Sequence, residues 1–127
     1  MPIRLLIFAA TNGFLAVGLG AFAAHGLESI MAADLLETFG TGVEYHMYHS
    51  LAALGTAALA FQFPEEKLLG LAGNLFLLGI LFFSGSLYLL SLSGIRWLGA
   101  ITPIGGLFFL AAWATLIRFA INIVKQE

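Results

Sequence analysis

Four long apolar runs constrain the fold of this chain more than any other feature. They cover residues 3–24, 43–63, 68–92 and 98–124, and each is long enough to match the roughly 20 helical residues that cross a hydrocarbon core of about 30 Å. The chain is 61% hydrophobic and only 9% charged, so it lacks the polar surface that a soluble globule requires. The pattern predicts an all-α integral membrane four-helix bundle with short loops, formed by residues 1–127 as a single transmembrane domain.

The connection between the first two runs is the longest one, and it is acidic. Its charged residues are Glu28, Asp34 and Glu37, with no Lys or Arg between residues 27 and 42. Its apolar residues fall within an arc of about 100° on a helical wheel: Leu35, Leu36, Phe39 and Val43. The pattern predicts one amphipathic connection at the outer membrane interface, which runs into the second helix and is loosened at Gly40 and Gly42.

The distribution of cations predicts the orientation of the bundle. Four cationic residues fall on one side: Arg4, Lys67, Arg118 and Lys125. Arg96 alone falls on the other side. Because cytoplasmic segments of membrane proteins carry an excess of Lys and Arg, we predict a multi-pass protein with both termini in the cytoplasm.

Composition excludes several classes of function. A net charge of −2 with five Lys and Arg residues provides no basic patch for nucleic acid. The apolar runs instead make the lipid bilayer the expected partner. The absence of Cys excludes disulfides, thiolate metal sites and Cys nucleophiles. The first run resembles a secretory signal ending in Ala21-Phe22-Ala23, but its roughly 20 apolar residues exceed a signal core of about 7–15 residues, which predicts a retained helix.

Small residues recur at helical spacing in two of the predicted helices. The first helix contains Gly13, Ala16, Gly20 and Ala24, and the third contains Gly85. Such residues allow neighbouring membrane helices to approach closely. They predict packing within the bundle, and they are also consistent with a homo-oligomer or with another membrane protein as partner.

Polar residues concentrate in the outer third of the predicted bundle. At a rise of about 1.5 Å per residue, His49 lies about 21 Å above Phe63 at the inner end of its helix. The same reasoning places a set of eight residues at similar heights: His25, Glu44, Tyr45, His49, Ser84, Ser86, Tyr88 and Thr102. Deeper in the bundle, Asn12 requires a hydrogen-bond partner on a neighbouring helix.

Helical spacing predicts which of these residues face inward. On the second helix, Gly42, Tyr45 and His49 share one face, whereas His46 lies about 60° away from it and is a weaker candidate. On the third helix, polar and apolar residues repeat every three or four positions along one predicted seam: Asn74, Leu77, Leu81, Ser84, Tyr88 and Ser91.

This polar cluster has two main interpretations: a pocket open to the outer face, or a hydrogen-bonded plug that fixes helix packing. The inner half of the bundle has few polar residues, which disfavours a water-filled channel or a proton relay. We expect a non-enzymatic binding or interaction protein without catalytic residues. The alternatives are a metal- or haem-binding redox component and a small-solute transporter.

The polar side chains include residue types that support three specific chemistries. His46 and His49, with His25 or Glu44, are residue types that bind zinc or copper. His49 with a second histidine is a candidate haem ligand pair. Ser84 or Ser86 beside His49 would be required for a serine hydrolase.

Four motifs resemble a known family, the YgdD-like small inner-membrane proteins that carry a domain of unknown function and have mitochondrial-type relatives in eukaryotes. The motifs are GAFAAHGL at residues 20–27, TGVEYHMYH at 41–49, FSGSLY at 83–88 and TPIGG at 102–106. The resemblance implies a four-helix protein of the bacterial inner membrane with no assigned activity.

Two positions depart from the family pattern. Ala23 stands where the family usually has Gly, and His46 stands where Gln is common. The second departure further weakens His46 as an obligatory ligand. The resemblance does extend to His25, Glu44, Tyr45 and His49, all members of the predicted polar cluster.

Overall fold

The structure, a computed structural model, describes residues 1–125 and is all-helical. The helices, in chain order, are α1 (Pro2–Leu27), α2 (Ala33–Gln62), α3 (Lys67–Ser93) and α4 (Thr102–Val124). A short 3₁₀ helix, Arg96–Ala100, leads into α4. Two helices contain a wider π-helical turn, Ala23–Leu27 at the end of α1 and Ile80–Ser84 within α3.

Helix ends follow from local sequence. Glu66 caps α3 because its side chain accepts a hydrogen bond from the backbone N–H of Leu68, at 3.1 Å. Gly94 ends α3 in the left-handed region, with φ of 72°, which glycine adopts without a steric penalty. Pro103 lies in the first turn of α4, where its missing N–H costs no helical hydrogen bond.

Three helical stretches are long and apolar enough to cross a membrane: Pro2–Leu27, Lys67–Ser93 and Arg96–Val124. The fourth helix, α2, is 30 residues long, but its first half contains three carboxylates and a histidine, and a second histidine follows at residue 49. The prediction of an all-α chain is therefore confirmed together with three of its four apolar spans.

Each helix packs against the next one in the chain, so α2 and α3 form the centre of the bundle. All four helices contribute to the main core, which consists of Ala9, Ala53, Phe76, Ile80, Phe109 and Ala112. The outward sides of α1 and α4 are apolar and exposed, as at Phe14 and Leu107, which are 79% and 66% exposed. Such surfaces are suited to contact with lipid chains.

The predicted amphipathic segment does run into the second helix, but it forms the regular first part of α2 and is not loosened at its glycines. The helix runs from Ala33 without interruption at Gly40 or Gly42, and the link from α1 consists only of residues 28–32. Phe39 is fully buried, with its ring centroid 4.9 Å from that of Tyr88. Burial of an aromatic side chain stabilises by about 1.5–3 kcal/mol, which offsets the cost of about 1 kcal/mol for each of the two helical glycines.

The predicted polar seam of α3 divides at the π turn. Asn74 and Leu81 are exposed, whereas Ser84 and Ser91 are buried. A π turn contains more residues than an α turn, so it rotates the helix face that follows it. The prediction of one continuous seam is therefore wrong because it assumed a regular α-helix.

The closest helix contacts occur at glycines of α3 and α4. A Cβ at Gly105 would collide with the backbone nitrogen of Phe83, and a Cβ at Gly79 would collide with the ring of Phe109. Gly105 therefore allows the backbones of α3 and α4 to approach closely, and Gly79 leaves room on α3 for the Phe109 ring.

The predicted packing residues have mixed positions. Ala16 is buried, and a Cβ at Gly20 would lie 3.2 Å from Val43 on α2. Ala24 is exposed, and a Cβ at Gly13 or Gly85 would meet no atom within 4 Å. Gly20 thus lies at the α1–α2 contact and Ala16 lies in the interior of the bundle, whereas the other three residues lie outside close helix contacts.

An ion pair links the start of α2 to the turn before α4. Arg96 Nη2 donates a hydrogen bond to Asp34 Oδ2 at 2.8 Å, and the two side chains are 72% and 59% exposed. The hydrogen bond from the Arg96 guanidinium holds the pKa of Asp34 below its ordinary value. Solvent screens an exposed pair of this kind, so its contribution to stability is small.

Asp34→Asn should lower the unfolding temperature only slightly at neutral pH and low salt. Because the folded-state pKa is depressed, the contribution of Asp34 is present above the unfolded pKa of about 3.9 and is lost as pH falls through the folded value. Thermal unfolding in detergent should therefore show a difference between variant and wild type that disappears at low pH and in about 1 M salt. A large, salt-insensitive difference would contradict this assignment.

Candidate functional site

His46 connects three helices at the centre of the bundle. The residue is 4% exposed. Its Nδ1 lies 2.9 Å from the Tyr88 hydroxyl on α3, and its Nε2 lies 3.1 Å from Asn12 Oδ1 on α1. The Asn12 amide nitrogen donates to the Phe8 carbonyl at 2.8 Å, which leaves the amide oxygen as an acceptor for the His46 ring.

These contacts assign the tautomer of the neutral His46 ring. An amide oxygen can only accept, so Nε2 carries the hydrogen and donates to Asn12. Nδ1 is then the acceptor, and the Tyr88 hydroxyl donates to it. The prediction that Asn12 bonds to a neighbouring helix is confirmed, with His46 as its partner.

Gly42 makes room for the side chain of Tyr88. A Cβ on Gly42 would lie 2.9 Å from the Tyr88 ring. Ser84 donates a hydrogen bond to the Gly42 carbonyl at 2.7 Å and is fully buried. The close approach of α2 and α3 at Gly42 therefore brings the Tyr88 hydroxyl to His46.

The prediction that His46 lies away from the inward face of α2 is wrong. The inward side of α2 contains His46, Ser50, Ala53, Ala57 and Ala60, all of them buried. Tyr45, which was expected to face inward, is 37% exposed and lies at the edge of this side. The series of small residues that follows His46 at spacings of three and four was the sequence signal for the buried side of α2.

His49 lies at the contact between α2 and α4. It is 6% exposed, and its ring stacks on Phe109 with centroids 3.5 Å apart and planes 7° apart. Nδ1 donates to the Tyr45 carbonyl at 2.8 Å, and Nε2 accepts from Trp113 Nε1 at 3.3 Å. Both ring nitrogens therefore have partners.

Trp113 was not predicted as a site residue. An indole N–H accommodated inside a bundle usually has a hydrogen-bond acceptor, and here that acceptor is His49. The need of the indole for an acceptor was the available signal.

An aromatic groove lies beside His49 between α2, α3 and α4, with a volume of about 410 Å³. Its aromatic lining residues are Tyr45, His49, Phe83, Phe109 and Trp113. We refer to this cavity as the aromatic groove. Tyr45 stacks on Phe83 with ring centroids 4.5 Å apart. The rim contains Leu107 and Leu110, which are 66% and 67% exposed, so the groove opens on the side that faces lipid.

Ser86 and Thr102 connect α3 to α4. The two hydroxyl oxygens are 2.6 Å apart, and Ser86 also donates to the Phe83 carbonyl at 2.9 Å. Among residues 1–125, neither Ser84 nor Ser86 is hydrogen-bonded to His49. The serine–histidine pair that a hydrolase requires is therefore not formed in this arrangement.

Two predicted members of the polar cluster lie outside it. His25 and Glu44 are exposed, and the hydrogen bonds of the described chain include neither side chain. The structure does not bring His25, His46 and His49 together, because His25 is exposed in the π turn at the end of α1 whereas the other two are buried. Within residues 1–125, no three His, Cys, Asp or Glu side chains are grouped as metal ligands require.

Haem or metal binding at His49 would require rearrangement of its contacts. Nε2 is occupied by the Trp113 indole and Nδ1 by the Tyr45 carbonyl. A ligating nitrogen would have to lose one of these hydrogen bonds. The present geometry therefore fits a neutral, packed histidine better than an available ligand.

Comparison with known proteins identifies relatives along almost the whole chain. The family model described as "Protein of unknown function (DUF423)" matches residues 19–106. The membrane protein YwdK of Bacillus subtilis is 47% identical over 117 residues, which are 92% of this chain and 95% of that protein. The inner membrane protein YgdD of Escherichia coli K12 is 43% identical over 122 residues, which are 96% and 92% of the two chains.

A third relative, from Haemophilus influenzae, is 44% identical over 116 residues, which are 91% of this chain and 92% of that protein. All three relatives are named UPF0382 membrane proteins, and the names assign no activity. No solved structure matches this chain.

Proposed function

Because this chain belongs to the DUF423 family of UPF0382 membrane proteins, we propose that it is a four-span bundle of the bacterial inner membrane that binds a single-chain lipid in its aromatic groove. Binding is non-enzymatic. The hydrocarbon chain lies on the aromatic rings beside His49, and the polar end of the ligand contacts the Tyr45 hydroxyl.

The four-span arrangement is supported by the position of α2. This helix lies between α1 and α3, and its 30 residues extend about 45 Å, enough to cross a bilayer. Its polar groups in the middle of the bundle have partners on other helices, as His46 and His49 show. With four spans, four of the five cations lie at the end that contains both termini, which favours a cytoplasmic location for that end.

The observation that carries the binding proposal is the aromatic groove itself. Its volume of about 410 Å³ lies within the range of about 300–1,000 Å³ typical of small-molecule sites. Because it opens between exposed leucines of α4, a hydrocarbon chain can enter it directly from the bilayer. The opening excludes water-soluble ligands, which would have to cross lipid to reach it.

The chemistry of the lining favours an apolar ligand with one polar end. The ring nitrogens of His49 and Trp113 are already hydrogen-bonded: Trp113 donates to His49, and His49 donates to the Tyr45 carbonyl. The Tyr45 hydroxyl has no hydrogen-bond partner among the residues that the structure describes, and the side chain is 37% exposed. It can therefore donate a hydrogen bond to the carboxyl or hydroxyl group of the ligand.

Gly106→Leu tests the proposal because Gly106 lines the groove. A Cβ there would lie 4.0 Å from Phe83, so a leucine can be added without a backbone collision and would fill the groove. In a Trp97→Phe background, which leaves Trp113 as the single tryptophan, a brominated fatty acid should quench Trp113 fluorescence saturably. Gly106→Leu should weaken the apparent affinity by about tenfold or more, which corresponds to about 1.4 kcal/mol.

Gly55→Leu is the matched control. Gly55 is exposed on α2, and a Cβ there would meet no atom within 4 Å. This variant should retain the affinity of the parent protein. Quenching that does not saturate, or that is equal in the Gly106→Leu and parent proteins, would show that the probe does not occupy the groove.

A further inference from the structure

A second cavity lies at the end of the bundle that contains the α1–α2 link. Its volume is about 400 Å³, and it lies between the last turns of α1 and the first turns of α2. Four small residues leave this space open: Gly20, Ala23, Ala24 and Gly40. We refer to this cavity as the terminal crevice.

The terminal crevice contains one charged residue. Its remaining side chains, Leu36 and Val43, are apolar, and the charge is the carboxylate of Glu28. Glu28 has no ion pair or hydrogen bond to another side chain in the described part of the chain. No Lys or Arg lines the crevice, and the cation at this end of the bundle, Arg96, is paired with Asp34.

The position of the crevice matches a lipid at a membrane surface. Phe22 and Ile30, on either side of the π turn, are 48% and 79% exposed, as expected where a bundle meets the headgroup region. A hydrocarbon chain lies naturally against the small residues. The single carboxylate at the crevice then selects for a positively charged headgroup.

We propose that the terminal crevice binds a phospholipid whose headgroup carries an ammonium group, with the ammonium paired to Glu28. This site is separate from the aromatic groove and does not depend on it. The acyl chain passes between α1 and α2 over Gly20 and Gly40, and the headgroup remains at the membrane surface.

The test uses the full-length protein reconstituted in vesicles of equimolar phosphatidylethanolamine and phosphatidylglycerol. After extraction in a mild detergent, native mass spectrometry counts the lipids of each class that remain bound. Wild type should retain phosphatidylethanolamine over phosphatidylglycerol by about threefold to fivefold, the range expected of a partly exposed ion pair. Glu28→Gln should retain both lipids at nearly equal levels.

Gly40→Leu separates the crevice from the charge. A Cβ at Gly40 would meet no atom within 4 Å, so leucine can occupy the crevice without displacing the backbone. This variant should lose the retained phosphatidylethanolamine, whereas Gly55→Leu on the same helix should behave as wild type. Gly106→Leu, which fills the aromatic groove, should also leave the headgroup preference unchanged.

Three results would overturn the proposal. The first is a wild type without headgroup preference, and the second is a Glu28→Gln variant that keeps the preference. The third is a Gly40→Leu variant that retains phosphatidylethanolamine at the wild-type level. Each result is independent of the brominated fatty acid experiment, so failure at the crevice and failure at the groove are distinguishable.

Discussion

Gly105→Ala should destabilise the bundle severely, whereas the neighbouring Gly106→Ala should not. A methyl group at Gly105 would collide with the backbone of Phe83, which cannot move aside as a flexible side chain can. Overpacking usually costs about 1–3 kcal/mol, and we expect at least about 3 kcal/mol here because the obstacle is backbone. The measurement is the midpoint of unfolding in mild detergent, monitored by the loss of the helical circular dichroism signal.

Gly106→Ala provides the internal control for helix propensity. Its Cβ would lie 4.0 Å from Phe83, an ordinary contact, and replacement of a helical glycine by alanine gains up to about 1 kcal/mol. The two variants therefore change stability in opposite directions. Similar stabilities for both would mean that α3 and α4 do not approach closely at Gly105.

His46→Leu should cost about 2–3 kcal/mol, although leucine has a similar volume and suits an apolar interior. The substitution leaves the Tyr88 hydroxyl and the Asn12 amide oxygen without their partner. A buried polar group that loses its hydrogen bond costs about 1–3 kcal/mol, and interhelical bonds in membranes contribute up to about 1.7 kcal/mol. Unfolding in detergent measures the difference.

His46→Gln distinguishes hydrogen bonding from shape at the same position. Glutamine has one acceptor for the Tyr88 hydroxyl and a donor for Asn12, so this variant should recover more than half of the stability lost in His46→Leu. A double-mutant cycle that combines His46→Leu with Tyr88→Phe should show a coupling free energy of unfolding of about 1 kcal/mol. Equal stability of the leucine and glutamine variants would show that the hydrogen bonds contribute nothing.

Much of the fold could be predicted from the sequence because hydropathy in a bilayer is a strong constraint. Apolar runs set the lengths of α1, α3 and α4, and the resemblance in four motifs is confirmed by relatives that are 43–47% identical. The start of α2 differs from the prediction: the helix begins at Ala33 and continues through Gly40 and Gly42, whereas the apolar run begins at residue 43. The helix through these glycines is supported by the contact of Phe39 with Tyr88. The sequence does not show this contact, because the two residues are far apart along the chain.

The candidate site was predicted in part. Depth alone grouped Tyr45, His49, Ser84 and Tyr88. The structure places Tyr45 and His49 in the aromatic groove, whereas Ser84 and Tyr88 contact Gly42 and His46 on α2. Depth could not indicate on which side of a helix a residue lies, so His25 was included and Trp113 was not. The choice between His46 and His49 depended on the direction of α1, which supplies Asn12, and no pattern within α2 contains that information.

The glycines illustrate the same limit for packing. Spacing identifies which residues share a side of a helix, but it does not identify the atom opposite each one. Gly13 and Gly85 fit the small-residue pattern and have open space, whereas Gly79 and Gly105 lie directly against aromatic residues. Only the relative position of two helices distinguishes these cases.

The π turn at Ile80–Ser84 gives α3 two differently oriented halves. One extra residue in a helix rotates everything beyond it by up to about 100°, the angle of one α-helical residue. Before the turn, Gly73 lies against Leu5 of α1. Ser84 at the end of the turn and Tyr88 beyond it contact α2. A single deletion inside this turn would thus act like a twist of the outer half of α3 and would move Tyr88 away from His46, although no residue in contact with the histidine had been replaced.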